Sequence, residues 1–150
     1  MEQDNSTQIF LGDETLWLAA LIELYDVQGL WGGRRIRVRG DGQLIVQIIG
    51  HGLIEQRYEL TLSPSDFQQL LKALIDNDFV TLRPEERPGI PDEARPTITV
   101  INAAGEKHSV GKWAGVKDER FAAIYAAFLR LEAMTQSIGP VYRGPFRLSE

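Results

Sequence analysis

Arg35-Ile36-Arg37-Val38-Arg39 alternates strictly between charge and aliphatic bulk, and it constrains the fold of this chain more than any other feature. A period of two puts the arginines on one face of an extended strand and the aliphatic residues on the other. Gly40-Asp41-Gly42 follows as a hairpin signal. Gln43 to Ile49 is rich in β-branched residues, Gly50-His51-Gly52 makes the next turn, and Ile54 to Leu62 alternates again. Three antiparallel strands joined by short turns satisfy this order. The polar face (Arg35, Arg37, Arg39, Glu55, Arg57, Glu59) is expected to look outward into solvent. Glu55 and Glu59 on a nearby strand would be the cross-strand partners of the arginines.

The clearest helix starts at Ser63. Ser63 is a good N-cap, Pro64 suits the first turn, and Asp66 stands where a capping box places its acid. Phe67, Leu70, Leu71, Leu74 and Ile75 form one apolar stripe, which Asn77-Asp78 terminates. A second helix is expected from about Asp118 to Met134, with Phe121, Ile124, Phe128 and Leu131 on one side and Gly139-Pro140 as its stop. Between the helices, Thr97 to Asn102 and Lys107 to Lys112 read as a hairpin around Ala103-Ala104-Gly105. Asp13 to Ala20 reads as a short helix, and Leu21 to Val27, whose period is mixed, leans towards a strand. The expected fold is therefore α+β: an antiparallel sheet of about five or six strands, a meander plus a hairpin, with two main helices packed on one face. Residues 1–12 read as a flexible leader, 13–136 as a single domain and 137–150 as a tail.

At 150 residues one domain is the default, and it can bury enough surface to fold without staples. The chain has no cysteine, which excludes disulfides, thiolate metal sites and a cysteine nucleophile. Met1 to Thr7 is polar and acidic, unlike a secretory signal, and no apolar run approaches a membrane span. These features point to a cytoplasmic protein without a membrane partner. A net charge of −5 argues against nucleic acid as a partner. No cofactor or metal is expected.

Gly29-Leu30-Trp31-Gly32-Gly33, the strand ending Gly40-Asp41-Gly42-Gln43-Leu44, the capped helix Leu62 to Leu71 leading into Asp78-Phe79, and Pro91-Asp92-Glu93 before a strand resemble a group of small bacterial α+β domains of unknown function. The resemblance runs from about Leu21 to Leu131 and lies in the order of elements. It implies the fold and carries over no functional residue.

Candidate sites are few. Gly29, Gly32 and Gly33 invite a phosphate-loop reading, but Arg34-Arg35 leads into a strand, whereas a P-loop needs Lys-Ser or Lys-Thr opening a helix. A structural turn is the simpler reading. His51 and His108 are the only histidines, both near turns. No Gly-x-Ser-x-Gly elbow accompanies them, and Ser109 beside His108 would point to the opposite strand face. Glu85, Glu86, Asp92 and Glu93 could offer oxygens to a cation. Prolines interrupt them, however, and Arg87 and Arg95 lie among them, unlike a calcium loop. Pro84–Pro96 carries four prolines, so its backbone is restrained without regular structure. With Arg87, Asp92, Glu93 and Arg95, and with Lys112 and Trp113 at the neighbouring strand end, it is expected to form the most ligand-accessible region. The function expected is a noncatalytic binding or protein-interaction module. The alternative is a small hydrolase-like enzyme using His108 and a carboxylate such as Glu59, Asp92 or Glu93.

Overall fold

The structure, a computed structural model, describes residues 6–11, 21–29, 31–84, 94–113 and 117–148. Its centre is one antiparallel sheet of seven strands. They are β1 (Leu21–Gln28), β2 (Gly32–Arg39), β3 (Gln43–Ile49), β4 (Ile54–Thr61), β5 (Thr97–Ile101), β6 (Lys107–Gly111) and β7 (Tyr142–Pro145), in the spatial order β6-β5-β1-β2-β3-β4-β7. The class is α+β, but the strand count exceeds the five or six expected. The seventh strand comes from the segment read as a tail: Tyr-Arg-Gly-Pro has no alternation and contains a proline, which a sheet accepts at its edge. Leu21 to Gln28, with its mixed period, pairs with both β2 and β5.

Among the described residues, three α-helices accompany the sheet: α1 (Ser6–Leu11), α2 (Pro64–Asp76) and α3 (Glu119–Ala133). The first lies within the expected leader, and its Thr7 and Leu11 are buried. Thr7 Oγ1 donates to Asp78 at 2.8 Å and accepts the Val80 amide at 3.0 Å, tying α1 to the chain beyond α2. The expected helix at Asp13 to Ala20 lies outside the described residues. Ser63 caps α2 by accepting the Asp66 amide at 3.1 Å, and Asn77 closes it by donating its side-chain amide to the Ala73 carbonyl. Asp118 caps α3 through the Phe121 amide.

Register sorts the strands into two faces. Ile22, Leu24, Ile36, Val38, Leu44, Val46, Ile98, Val100 and Val110 share one face. They join Phe67, Leu70, Leu71 and Leu74 of α2 and Phe121, Ile124, Phe128 and Leu131 of α3 in one hydrophobic core. Burial of that apolar area is the main force behind the fold.

The opposite face corrects an expectation. It carries Glu23, Arg35, Arg37, Gln47, Glu55 and Arg57, yet Arg37 is 4% exposed, Gln47 0%, Glu55 0% and Arg57 8%. It is not a solvated arginine face. Nor are the expected partners adjacent, because β3 separates β2 from β4. Arg35 instead pairs with Glu23 at 3.0 Å, and Arg57 with Glu55 on its own strand at 3.0 Å. Residues 146–148 cross this face beyond β7, as their hydrogen bonds to Gln47, Glu55 and Arg35 place them.

The two glycines that open β2 have a steric cause. A Cβ on Gly32 would lie 2.2 Å from the Ile49 carbonyl oxygen, and one on Gly33 1.9 Å from that of Asp26. Both obstacles are backbone atoms, so these glycines permit close strand approach.

Candidate functional site

The end of β6 and the start of α3 enclose the site. Gly111 closes β6, and Lys112 and Trp113 run on towards the helix. The Lys112 amide donates to the Pro96 carbonyl at 3.0 Å, holding this extension beside the chain that enters β5. Arg95 lies over the Trp113 ring, its guanidinium carbon 5.2 Å from the centroid. Gly111 leaves room for that side chain, because a Cβ there would come 3.0 Å from Arg95 Nε. A cation over an indole face is attracted by the ring quadrupole, which orders both groups.

Between Trp113 and α3 lies a cavity of about 400 Å³. Pro96, Trp113, Phe121, Ala122 and Tyr125 provide its apolar surface, and Lys112, Lys117, Asp118 and Glu119 its polar groups. The Asp118 carboxylate is fully engaged: Oδ1 accepts the Phe121 amide at 3.1 Å, and Oδ2 pairs with Lys112 Nζ at 3.3 Å. Burial alone would raise its pKa. The Phe121 amide and the Lys112 ammonium outweigh that effect and hold the carboxyl below its ordinary value.

Tyr125 connects the cavity to a network behind it. Its hydroxyl donates to the Asp26 carboxylate and accepts from Arg34 Nη1 at 2.9 Å, while Arg34 Nε pairs with Glu132 at 2.5 Å. Asp26 and Arg34 are register partners on the helix-facing side of the sheet, so the network fastens α3 to β1 and β2. Burial first, and then the bond to Asp26, push the Tyr125 hydroxyl up to about 12.

That shift has a consequence in alkali. The folded pKa lies above the unfolded value of about 10, so between the two the native state keeps a proton that the unfolded chain has lost. The stability this confers is complete below about pH 10 and is lost as the pH rises through about 12. In a tyrosinate absorbance titration, one of the four tyrosines should ionise late, and Tyr125→Phe should abolish that late step. Persistence of the step in the variant would assign it to another tyrosine.

Of the residues singled out in the sequence, the structure brings Arg95, Lys112 and Trp113 together. Arg87, Asp92 and Glu93 lie outside the described residues. His108 is packed edge-on against Phe79, with centroids 5.1 Å apart, and against Phe10 at 6.4 Å. Its Nε2 lies 3.2 Å from the Leu82 carbonyl oxygen. Those contacts give the ring a packing role. Ser109, on the opposite strand face, bonds to Thr99 at 2.7 Å. Glu59 is exposed on β4, where it accepts from Gln43 at 3.3 Å.

From α3, Ala122 and Tyr125 escaped the sequence reading, which followed the stripe Phe121, Ile124, Phe128, Leu131. Ala122 and Tyr125 lie three apart, one position off that stripe, and so share a neighbouring helix face. No protein-family model matches the chain, and no curated protein matches it.

Proposed function

We propose that this chain is a noncatalytic binding module whose ligand seats an apolar, planar group in the cavity beside Trp113. The observation that carries this reading is the cavity itself. About 400 Å³ falls within the range of ligand sites, and its surface is mainly apolar, three of its lining residues being aromatic, with four charged residues around them. Trp113, ordered by Arg95, and Tyr125, ordered by Asp26 and Arg34, offer rigid rings that lose little conformational freedom on binding.

The chemistry of the polar groups favours binding over catalysis. A general acid or base works best with a pKa near the operating pH. Asp118 is held below its ordinary value and Tyr125 is held near 12, so both shifts lead away from that window. Lys112 is already paired with Asp118.

Ala122→Arg tests the reading. Ala122 is exposed on α3, so a long helix-favouring side chain can be added there without entering the core. Titration with small aromatic probes (indole, benzoate and benzylamine), followed by two-dimensional NMR, should shift the Trp113 indole N–H and the amides of Phe121 to Tyr125. In the Ala122→Arg chain the same probes should bind about 10-fold more weakly or worse, a loss of about 1.4 kcal/mol. Shifts that cluster elsewhere, or that survive the substitution unchanged, would exclude this cavity as the site.

A further inference from the structure

The polar face of the sheet is built to hold an extended backbone. The Arg147 amide donates to Glu55 Oε2 at 2.6 Å, and the Arg147 carbonyl accepts from Gln47 Nε2 at 2.6 Å and Arg57 Nη2 at 3.4 Å. One residue on, the Leu148 carbonyl accepts from Arg35 Nη1 at 2.7 Å. Gln47 and Glu55 are both 0% exposed, so the two hydrogen-bonding groups of one peptide residue are read by fully buried side chains. Just before them, Tyr142–Pro145 pairs with β4, and the Phe146 amide donates to the Leu53 carbonyl at 2.9 Å. This is strand addition at a sheet edge, extended across the sheet by side chains.

From these contacts we infer that the β4 edge and the Gln47–Glu55–Arg57 row form an interaction surface for a second copy of this chain, which docks by exchanging its Tyr142–Leu148 segment. Three observations lead there. First, among the described residues nothing after Met134 belongs to the hydrophobic core. The segment is held by its pairing with β4, by the Glu55, Gln47, Arg57 and Arg35 side chains bonded to its backbone, and by Arg57 and Arg147 against the Tyr142 ring, so its release uncovers polar groups that water can satisfy. Second, a released segment leaves β4 as an open edge, which another strand must cover. The segment whose fit is already established is the same segment of another copy, which reproduces every bond. Third, the connection Ile138-Gly139-Pro140-Val141 is exposed throughout and includes a proline, the kind of short, stiff hinge from which strands exchange. Return in cis competes at an effective concentration of ~1 mM for a short linker, so exchange grows as protein concentration approaches that value.

The absence of cysteine makes the test direct. Gln56 and Arg143 are register partners across β4 and β7. One preparation carries Gln56→Cys and the other Arg143→Cys, and the full-length chains are mixed at increasing concentration under mild oxidation. Exchange should yield a covalent heterodimer at twice 16.9 kDa, in excess over a Lys72→Cys and Arg143→Cys mixture, in which the first cysteine lies on α2. Deleting Gly139 and Pro140 should block return in cis and make the chain dimeric by light scattering. The double variant Gln56→Cys, Arg143→Cys in one chain should close internally at low concentration. If it closes while the mixed single variants stay monomeric, or give no more dimer than the Lys72 control, exchange is refuted. If the double variant does not close, β7 does not lie on β4 and the inference falls with it.

Discussion

Replacing Arg57 by methionine should destabilise the chain by about 3–5 kcal/mol, the cost typical of removing one partner from a buried ion pair. Arg57 Nε pairs with Glu55 Oε1 at 3.0 Å, and Nη2 reaches Glu55 Oε2 at 3.5 Å and the Arg147 carbonyl at 3.4 Å. Glu55 itself has no exposed surface. Methionine fills much of the same volume but takes the guanidinium away from the carboxylate, which keeps the neutral donors of the Gln47 side chain and the Arg147 amide. A buried charge without its counter-charge is costly, and its desolvation penalty remains whatever the packing around it. Adding Glu55→Gln should recover a large part of the loss by removing that charge. Urea unfolding of the wild type, both single variants and the double variant forms a cycle that isolates the pair. A loss below about 1 kcal/mol for Arg57→Met would show that the pair behaves as a solvated surface contact.

The burial of this face was the part of the fold least legible in the sequence. Alternation showed that Arg35, Arg37 and Arg39 share a side, and a polar side of a sheet ordinarily meets water. What covers it is remote in sequence: Arg147 and Leu148 stand about a hundred positions from the residues they cap, and no local pattern links them. Arg37 registers the difference. Burial first, then Arg35, lower its guanidinium to about 10, with Arg57 and Arg39 acting in the same sense and Glu23 opposing them. The meander, the capped helix at Ser63 and the Thr97–Lys112 hairpin were legible because each is encoded by neighbouring residues. β7 was not, because Tyr142–Pro145 is short and pairs at an edge through its backbone. Trp113 and Lys112 could be placed at a strand end from the sequence. Their apposition to Ala122 and Tyr125 depends on how α3 packs, which no spacing encodes.

Leu70→Ala should cost about 2–5 kcal/mol, the range for deleting most of a buried aliphatic side chain from a packed core. Leu70 lies on the stripe of α2 that faces the sheet and is 1% exposed, with Leu74 at 0% and Phe67 at 8% on the same helix. The core cluster to which it belongs draws on both layers, including Ile22, Val38 and Leu44 of the sheet and Phe128 of α3. Such surroundings collapse only partly around a lost isobutyl group, so a cavity term adds to the lost transfer energy. Alanine has the higher helix propensity, so the loss cannot come from the backbone of α2. Gln69→Ala, one residue earlier and exposed, supplies the comparison and should change stability by less than about 0.5 kcal/mol. Equal small effects at positions 69 and 70 in urea unfolding would mean that the Leu70 stripe does not face the core. A large effect at 70 alone, with an unchanged denaturant slope, would place the difference in native packing.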